Sequence, residues 1–230
     1  IFHRFDDEVG GESGFTNTGW AFLVPEDVSA GLSANLAMGQ RLGVDVQEIN
    51  KEDLLELEPR LELGDVHRIA YEPGSGYADP RATTHSYVRR FVELGGRLQQ
   101  RCSVTGLQMA GDRITGVETA SGLIATGVVV NAAGPWSGRL ASMVGVELPL
   151  KVTREEEIIY ATNGALGGPP KLCFSDMDRA IYYRPEGSGY TLVGRGFPKE
   201  YEYVEPDGYN QEVDVAFIDE TEGLFRARLP

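Results

Sequence analysis

The chain contains little cysteine, which limits the crosslinks and metal sites that it can form. Only Cys102 and Cys173 occur among its 230 residues, and both lie in strand-like stretches. We therefore expect two buried, reduced thiols of a cytoplasmic protein rather than a disulfide. The sequence has no close group of Cys and His residues, so we expect no structural metal.

Basic residues and long apolar runs are also scarce. The chain has 21 Lys and Arg against 35 Asp and Glu, which gives a net charge of −14. This balance argues against nucleic acids and anionic membrane surfaces as partners, because phosphate binding needs a basic face. No run of about 18 or more apolar residues is present, so we expect no membrane span.

The apolar pattern and the turn residues that are present predict an α+β fold. Asn50 with Asp53 three residues later marks one helix start, and Asp79 with Pro80 marks another. Residues 97–134 read as a β-meander with Gly-containing turns. The last third of the chain reads as successive antiparallel strands followed by a final helix.

One junction in this pattern raises a functional question. Val128–Val130 are three β-branched residues in a row, which is typical of a strand covered on both faces in a parallel α/β sheet. Ligands of such sheets bind beyond the carboxyl ends of the strands, and the small residues at 131–134 permit close approach of a backbone. Taken alone, the stretch also fits a tight strand-to-helix turn without a ligand.

In the order of its elements, the chain resembles the D-amino-acid-oxidase-like family of FAD-dependent oxidoreductases, which includes glycine oxidase, sarcosine oxidase and dimethylglycine dehydrogenase. The similarity covers nearly the whole chain, from TGWAFLVPED through YEPGSGYADPRATTHSYVRRFVELGGRL to IYYRPEGSGYTLVGRG. The block VVNAAGPWSG is its most specific part.

The resemblance implies two domains that the chain crosses between more than once. An antiparallel-sheet substrate (cap) domain would comprise residues 1–72 and 149–230. Residues 73–148 would form part of an FAD-binding α/β domain that lacks its N-terminal βαβ unit. FAD is the implied cofactor, and a small amine or amino acid is the implied substrate.

The sequence departs from the family at the phosphate site. The opening strand–G-x-G-x-x-G–helix that cradles the pyrophosphate is absent. The Gly-Ser-Gly stretches at 74–76 and 187–189 lack the third glycine and are typical of turns. With a start at Ile1 rather than Met, this favours an interior fragment of a longer flavoenzyme, whose remainder would be its partner. Alone, we expect the fragment to be inactive and without FAD.

The resemblance suggests residues on the cofactor side. Val104 lies in the strand that in the family sets backbone groups against the adenine end of FAD, although a plain core valine is an alternative. Ala132, Ala133 and Gly134 match the flavin-side turn. Trp136 follows them, and a core aromatic of its helix is the alternative there.

On the substrate side, the family generally clamps a carboxylate with Arg and Tyr through charge-assisted hydrogen bonds. Tyr182 and Arg184 would share one face of a strand and Tyr183 the other, and either face could look toward the flavin. Arg154 opens a strand that in relatives lines the substrate cavity, or forms a surface pair with one of the glutamates that follow it. The run 155–157 either helps to hold a cationic amine or forms a solvated edge.

The function that the resemblance implies is oxidation of the C–N bond of an amino acid or N-methylated amine, by hydride transfer to FAD. Because the cofactor performs that chemistry, no catalytic acid–base pair is assigned. Two alternatives stand beside it. One is a non-catalytic binding or structural cap module. The other is a flavoenzyme of the same fold with another donor, such as glycerol-3-phosphate.

Overall fold

A computed structural model gives the architecture, and it describes residues 1–162, 164 and 167–230. In that part of the chain the helices α1–α6 span Phe5–Val9, Leu32–Arg41, Lys51–Leu57, Pro80–Glu93, Ser137–Ser142 and Val215–Arg228. The strands β1–β14 span Thr16–Asn17, Trp20–Val24, Gln47–Ile49, Arg68–Glu72, Gly76–Tyr77, Val104–Ala110, Arg113–Thr119, Gly122–Ala125, Thr153–Arg154, Glu157–Ala161, Cys173–Asp176, Ile181–Glu186, Tyr190–Arg195 and Glu202–Tyr203. Short 3-10 turns occur at Phe2–Arg4, Glu26–Gly31 and Gly134–Trp136.

The chain divides into two units. The sheet unit comprises Ile1–Arg90, Glu155–Glu200 and Asn210–Pro230, and the meander unit comprises Phe91–Arg154 and Tyr201–Tyr209. The chain therefore leaves the sheet unit and returns to it. The assignment of three sequence ranges to a substrate domain and a flavin domain stays a prediction.

Within the described residues, the largest sheet has seven strands in the order β10-β13-β12-β11-β2-β4-β3. Its pairs are antiparallel except for β11 with β2, which are parallel. The expected antiparallel strands of the last third are present, but the sheet as a whole is mixed. A parallel pair needs a long crossover, and the chain between β2 and β11 supplies it.

The larger hydrophobic core lies on one face of this sheet. In β12 the side chains alternate, so that Ile181 and Tyr183 are buried while Tyr182 and Arg184 are only partly covered. Helix α6 packs on the buried face through Phe225, whose ring lies 5.3 Å from that of Tyr183. Helix α3 contributes to the same core, so both helices lie on the Tyr183 side of the sheet.

Local sequence signals set two helix starts as predicted. The Asn50 side chain accepts a hydrogen bond from the Asp53 backbone N–H at 2.8 Å, and Asp53 reciprocates in a capping box. Asp79 Oδ1 accepts one from the backbone N–H of Ala82 at 2.8 Å, directly before Pro80 opens α4. Such caps satisfy N–H groups that have no partner inside the helix.

The meander unit contains the predicted meander, with β6, β7 and β8 paired in sequence order. The prediction of a covered strand at Val128–Val130 is wrong. Val128 is 78% exposed and Val130 84% exposed, and the segment is not a strand. A strand needs a neighbour for its backbone hydrogen bonds, and none in the described part of the chain pairs with it. Instead the Thr126 hydroxyl bonds to both backbone groups of Val128.

The two cysteines differ from the expectation in one respect. Both are free thiols, and Cys173 is buried in β11. Cys102 is only half-buried, because it lies before β6 in a segment outside any strand. Burial also raises the pKa of the Cys173 thiol, which makes it a weak nucleophile.

Helix α6 is tied to the rest of the sheet unit by buried charges. Arg228 Nε donates to Asp176 Oδ2 at 2.6 Å, and Arg228 Nη1 donates to Asp65 Oδ1 at 2.7 Å. Arg179 Nη1 donates to the other Asp65 oxygen at 2.6 Å. Although burial raises the pKa of Asp65, the hydrogen bonds from Arg228 and Arg179 lower it to about 2.

This pKa predicts a loss of stability in acid. Because the folded pKa of Asp65 lies near 2 and its ordinary value is 3.8, its contribution is fully present above pH 4 and is lost as the pH falls toward 2. We expect urea midpoints measured between pH 5 and pH 2 to fall less steeply in Asp65→Asn than in the unsubstituted protein. Parallel pH profiles of the two proteins would contradict the assignment.

Candidate functional site

One row of residues crosses five strands on the less buried face of the sheet. The strand register places Phe22, Ser175, Tyr182, Gly194 and Glu157 opposite one another on β2, β11, β12, β13 and β10. Residues opposed in neighbouring strands point to the same side of a sheet. We call this side the open face. Helix α2 covers the open face near β4, where it packs around Phe22.

An apolar cavity lies on the open face. Its volume is about 500 Å³, and its walls include Trp20, Phe22, Met177, Tyr182, Phe197 and Lys199. The rings of Trp20 and Phe22 stack at 6.0 Å, and Trp20 Nε1 donates to Ser175 Oγ at 3.0 Å. A mostly apolar cavity with a few polar groups is the usual form of a small-molecule site.

Tyr182 lies across the neighbouring strand to reach Glu157. A Cβ atom at Gly194 would fall 2.4 Å from the Tyr182 ring, so the ring occupies the space that a side chain there would take. The Tyr182 hydroxyl donates to Glu157 Oε1. Burial and this hydrogen bond raise the pKa of Tyr182, which keeps the phenol protonated.

Arg184 supplies a cation on the same face, two residues from Tyr182. Its guanidinium lies 4.5 Å from the centre of the Tyr77 ring. Arg184 Nη1 donates to Glu186 Oε2 at 2.5 Å and to the Pro185 carbonyl at 3.0 Å. The aromatic ring and the carboxylate together hold the guanidinium in a fixed position.

The structure places Tyr183 in the core, apart from Tyr182 and Arg184. Its side chain has no exposed surface, and its hydroxyl has no hydrogen-bond partner among the described residues. Burial raises the pKa of Tyr183 well above its ordinary value. A buried hydroxyl without a partner lowers stability, and a side chain enclosed in the core is not placed to contact a substrate on the open face.

Removing that hydroxyl is therefore expected to stabilise the protein. We predict that Tyr183→Phe raises the free energy of unfolding by about 1 kcal/mol, because it removes a desolvated group without a partner. Tyr160→Phe is the matched control, since the Tyr160 hydroxyl donates to the Ile218 carbonyl at 3.1 Å. That variant should lose about 1 kcal/mol. Equal changes in the two variants, measured by urea unfolding, would contradict the prediction.

Arg154 belongs to the meander unit, whereas Tyr182 and Arg184 belong to the sheet unit. Its side chain is 4% exposed, and its Nη1 donates to Glu202 Oε2 at 2.9 Å across the β9–β14 pair. Of the glutamates that follow it, Glu155 pairs with Lys199 at 2.5 Å, and Glu156 accepts the Asp214 N–H at 2.8 Å. Glu155 and Glu156 of the acidic run therefore make contacts within the fold.

The predicted flavin-side residues lie in one turn of the meander unit. Asn131 Nδ2 donates to the Ser137 carbonyl at 2.9 Å, and its Oδ1 accepts the Ala133 N–H at 3.2 Å, so Asn131 holds the turn that contains Ala132 and Gly134. Trp136 is 43% exposed and donates to Asp207 Oδ1 at 2.9 Å, so it is not a core aromatic.

Val104 is the remaining predicted residue on the cofactor side. It opens β6 in the meander unit and is 37% exposed, so it is not a fully covered core valine either.

Comparisons with known proteins identify the family. A family model described as "DAO: FAD dependent oxidoreductase" matches residues 1–230. The chain belongs to this family. Mitochondrial sarcosine dehydrogenase of Mus musculus is 26% identical over 200 residues, which are 84% of this chain and 22% of that protein. Sarcosine oxidase subunit beta of an Arthrobacter species is 33% identical over 114 residues, 47% of this chain and 28% of that protein.

Solved structures of the same fold cover the whole chain. L-proline dehydrogenase from P. horikoshii superposes with a TM-score of 0.84 at 23% identity, over 100% of this chain and 60% of that one. Glycine oxidase from Geobacillus kaustophilus gives a TM-score of 0.77 at 19% identity, over 100% and 59%. This chain therefore spans about a fifth of the first curated relatives and three fifths of these structures.

The meander-unit turn fits part of the family's cofactor. Gly134 has φ +53°, which favours glycine, and a Cβ atom there would meet no other atom within 4 Å. A flat group can therefore approach this backbone closely. The chain has no G-x-G-x-x-G loop, so its residues fit a flavin-side contact but do not supply the pyrophosphate cradle.

Sequence reasoning missed the contact between Tyr182 and Glu157, and the aromatic cavity beside it. One signal was available for the first. Gly194 interrupts the apolar strand YTLVGR, and a glycine inside a strand often marks the close approach of another group. No comparable signal pairs Trp20 with Ser175, because they are 155 residues apart.

Among residues 1–162, 164 and 167–230, none of the helices combines the length and the apolar composition that a membrane span requires. The same residues contain no group of three or more His, Cys, Asp or Glu side chains placed to hold a metal ion.

Proposed function

We propose that the protein containing this chain is an FAD-dependent oxidoreductase that oxidises the C–N bond of an amino acid or N-methylated amine. The substrate binds on the open face of the sheet. The observation that carries this proposal is that Tyr182 lines the aromatic cavity of the open face and that Arg184 lies on the same face of β12, while Tyr183 is buried. Family membership supports the cofactor, and relatives named for sarcosine and glycine support the substrate class.

In this proposal, the residues of the open face bind the substrate and orient it. The apolar walls formed by Trp20 and Phe22 take the carbon part of the substrate and exclude water from it. Arg184 attracts a carboxylate through charge-assisted hydrogen bonds. Bound FAD would supply the hydride acceptor for the carbon next to the nitrogen, and water would hydrolyse the resulting imine.

The cofactor contacts of the meander unit belong to the same proposal. Ala132, Ala133 and Gly134 offer a backbone that a flat ring system can approach, and Trp136 and Val104 are exposed enough to contact it. Arg154 is a candidate substrate contact by resemblance, although its guanidinium is held by Glu202.

A substrate panel on the full-length holoprotein tests the function. Each candidate is added without oxygen, and loss of the visible flavin absorbance is recorded. We expect bleaching by at least one of sarcosine, dimethylglycine, glycine and proline. Bleaching by glycerol-3-phosphate alone would favour the other donor class. No bleaching by any candidate would favour a non-catalytic module.

Arg184 should matter most for substrates that carry a carboxylate. We expect Arg184→Met to raise KM for an amino-acid substrate by at least about tenfold, because a charge-assisted pair is lost. Arg184→Lys is the matched variant, and it should recover part of the loss because it keeps the charge without the planar fork. An unchanged KM in Arg184→Met would remove Arg184 from the site.

A further inference from the structure

Glu157 is an exposed carboxylate on the open face, in the edge strand β10. Within the described residues no Lys or Arg lies within ion-pair distance of it, and its hydrogen-bond partner is the Tyr182 hydroxyl. The neighbouring cations are each held by other carboxylates. Lys199 pairs with Glu155, Arg195 with Glu220, and Arg184 with Glu186.

The contact between Tyr182 and Glu157 is built into the strand geometry. The register sets Tyr182 on β12 and Glu157 on β10 opposite the same residue, Gly194 on β13. Only a residue without a side chain at 194 lets the ring lie across β13 and reach the carboxylate.

We propose that Glu157 fixes the hydroxyl of Tyr182, whose side chain lines the cavity, as a hydrogen-bond acceptor, and so selects the amine end of the substrate at this point. A phenol has one O–H and two lone pairs. Since its proton is donated to Glu157, Tyr182 presents a lone pair, which can accept an N–H but cannot donate to a carboxylate. The raised pKa of Tyr182 is consistent with a proton that stays on the phenol.

This inference rests on the proposed function and refines it. Arg184, two residues along β12, is a cation on the same face and suits a carboxylate. The amine and carboxylate ends of a substrate therefore have separate contacts, with the amine at Tyr182 and Glu157. Glu157 acts through Tyr182 and is a positioning residue.

The test measures binding rather than turnover. Calorimetric titration of the full-length holoprotein uses N-methylpropylamine as a cationic probe and butanoate as an anionic probe of similar size. In Glu157→Gln the amide can donate to the Tyr182 oxygen, which frees the phenol O–H to point into the cavity. We expect the affinity ratio of amine to carboxylate to fall by at least about tenfold.

Glu56→Gln is the matched control. It removes the same charge from an exposed position on α3, which packs on the opposite face of the sheet. The affinity ratio of amine to carboxylate in Glu56→Gln should equal that of the unsubstituted protein. A Glu157→Gln ratio no different from this control overturns the proposal, as does binding of neither probe by the unsubstituted protein.

A double-mutant cycle separates action through Tyr182 from a plain charge effect. In a Tyr182→Phe background, Glu157→Gln should change the ratio far less than in the parent background. An equal change in both backgrounds would overturn the role of the hydroxyl. Because neither probe needs to be oxidised, the outcome is independent of flavin bleaching, which tests the proposed function.

Discussion

Arg228→Met is expected to lower the free energy of unfolding by about 3–5 kcal/mol, the usual cost of leaving one member of a buried ion pair alone. The side chains of Arg228 and Asp176 have no exposed surface, and two hydrogen bonds, of 2.6 and 3.3 Å, join them. Arg228 also binds the Glu62 carbonyl and Asp65. Methionine keeps much of the volume, so the loss reports the charge and its hydrogen bonds. Urea unfolding measures it.

Arg226→Met on the same helix is the control. Arg226 pairs with Glu222 at 2.7 Å, but its side chain is 52% exposed, so we expect a change within about 0.5 kcal/mol. A second variant, Arg228→Met with Asp176→Leu, should recover part of the loss because no unpaired charge remains. If Arg228→Met costs no more than Arg226→Met, the pair does not anchor α6.

Gly194→Ala is expected to have the second largest effect. The new Cβ would lie 2.4 Å from the Tyr182 ring, which has to leave its place across β13. We expect a loss of about 1–3 kcal/mol in unfolding free energy, typical of an overpacked site. The hydrogen bond from Tyr182 to Glu157 should break with it.

Gly223→Ala gives the matched comparison. Gly223 lies in α6 with nothing within 4 Å of the Cβ position, and its backbone is not left-handed. There the same substitution should stabilise the protein by about 0.5–1 kcal/mol through helix propensity. Two changes of the same sign would show that position 194 has more room than the structure indicates.

The features that the sequence predicted well depend on residues that lie close together in the chain. The caps at Asn50 and Asp79 formed, because each is decided by hydrogen bonds within three residues. The prediction that Tyr182 and Tyr183 lie on opposite faces of a strand is also confirmed, since a strand places neighbouring side chains on opposite faces. Which of the two is buried could not be predicted, because it depends on where α3 and α6 pack.

The covered strand expected at Val128–Val130 shows the limit of this reasoning. Its β-branched residues do favour a strand. A strand, however, also needs a neighbouring strand from elsewhere in the chain to pair with. In the described residues that neighbour is missing, and the segment is exposed. Composition alone cannot supply a hydrogen-bond partner.

The sequence by itself determined the family resemblance, the α+β character, the helix starts and the absence of the glycine-rich phosphate loop. Each of these depends on residue types at short spacing. Only the tertiary structure decided that Phe22, Ser175, Tyr182, Gly194 and Glu157 form one row. Those residues lie up to 172 positions apart in the chain, from Phe22 to Gly194, and their order across the sheet is set by packing and register rather than by any local preference.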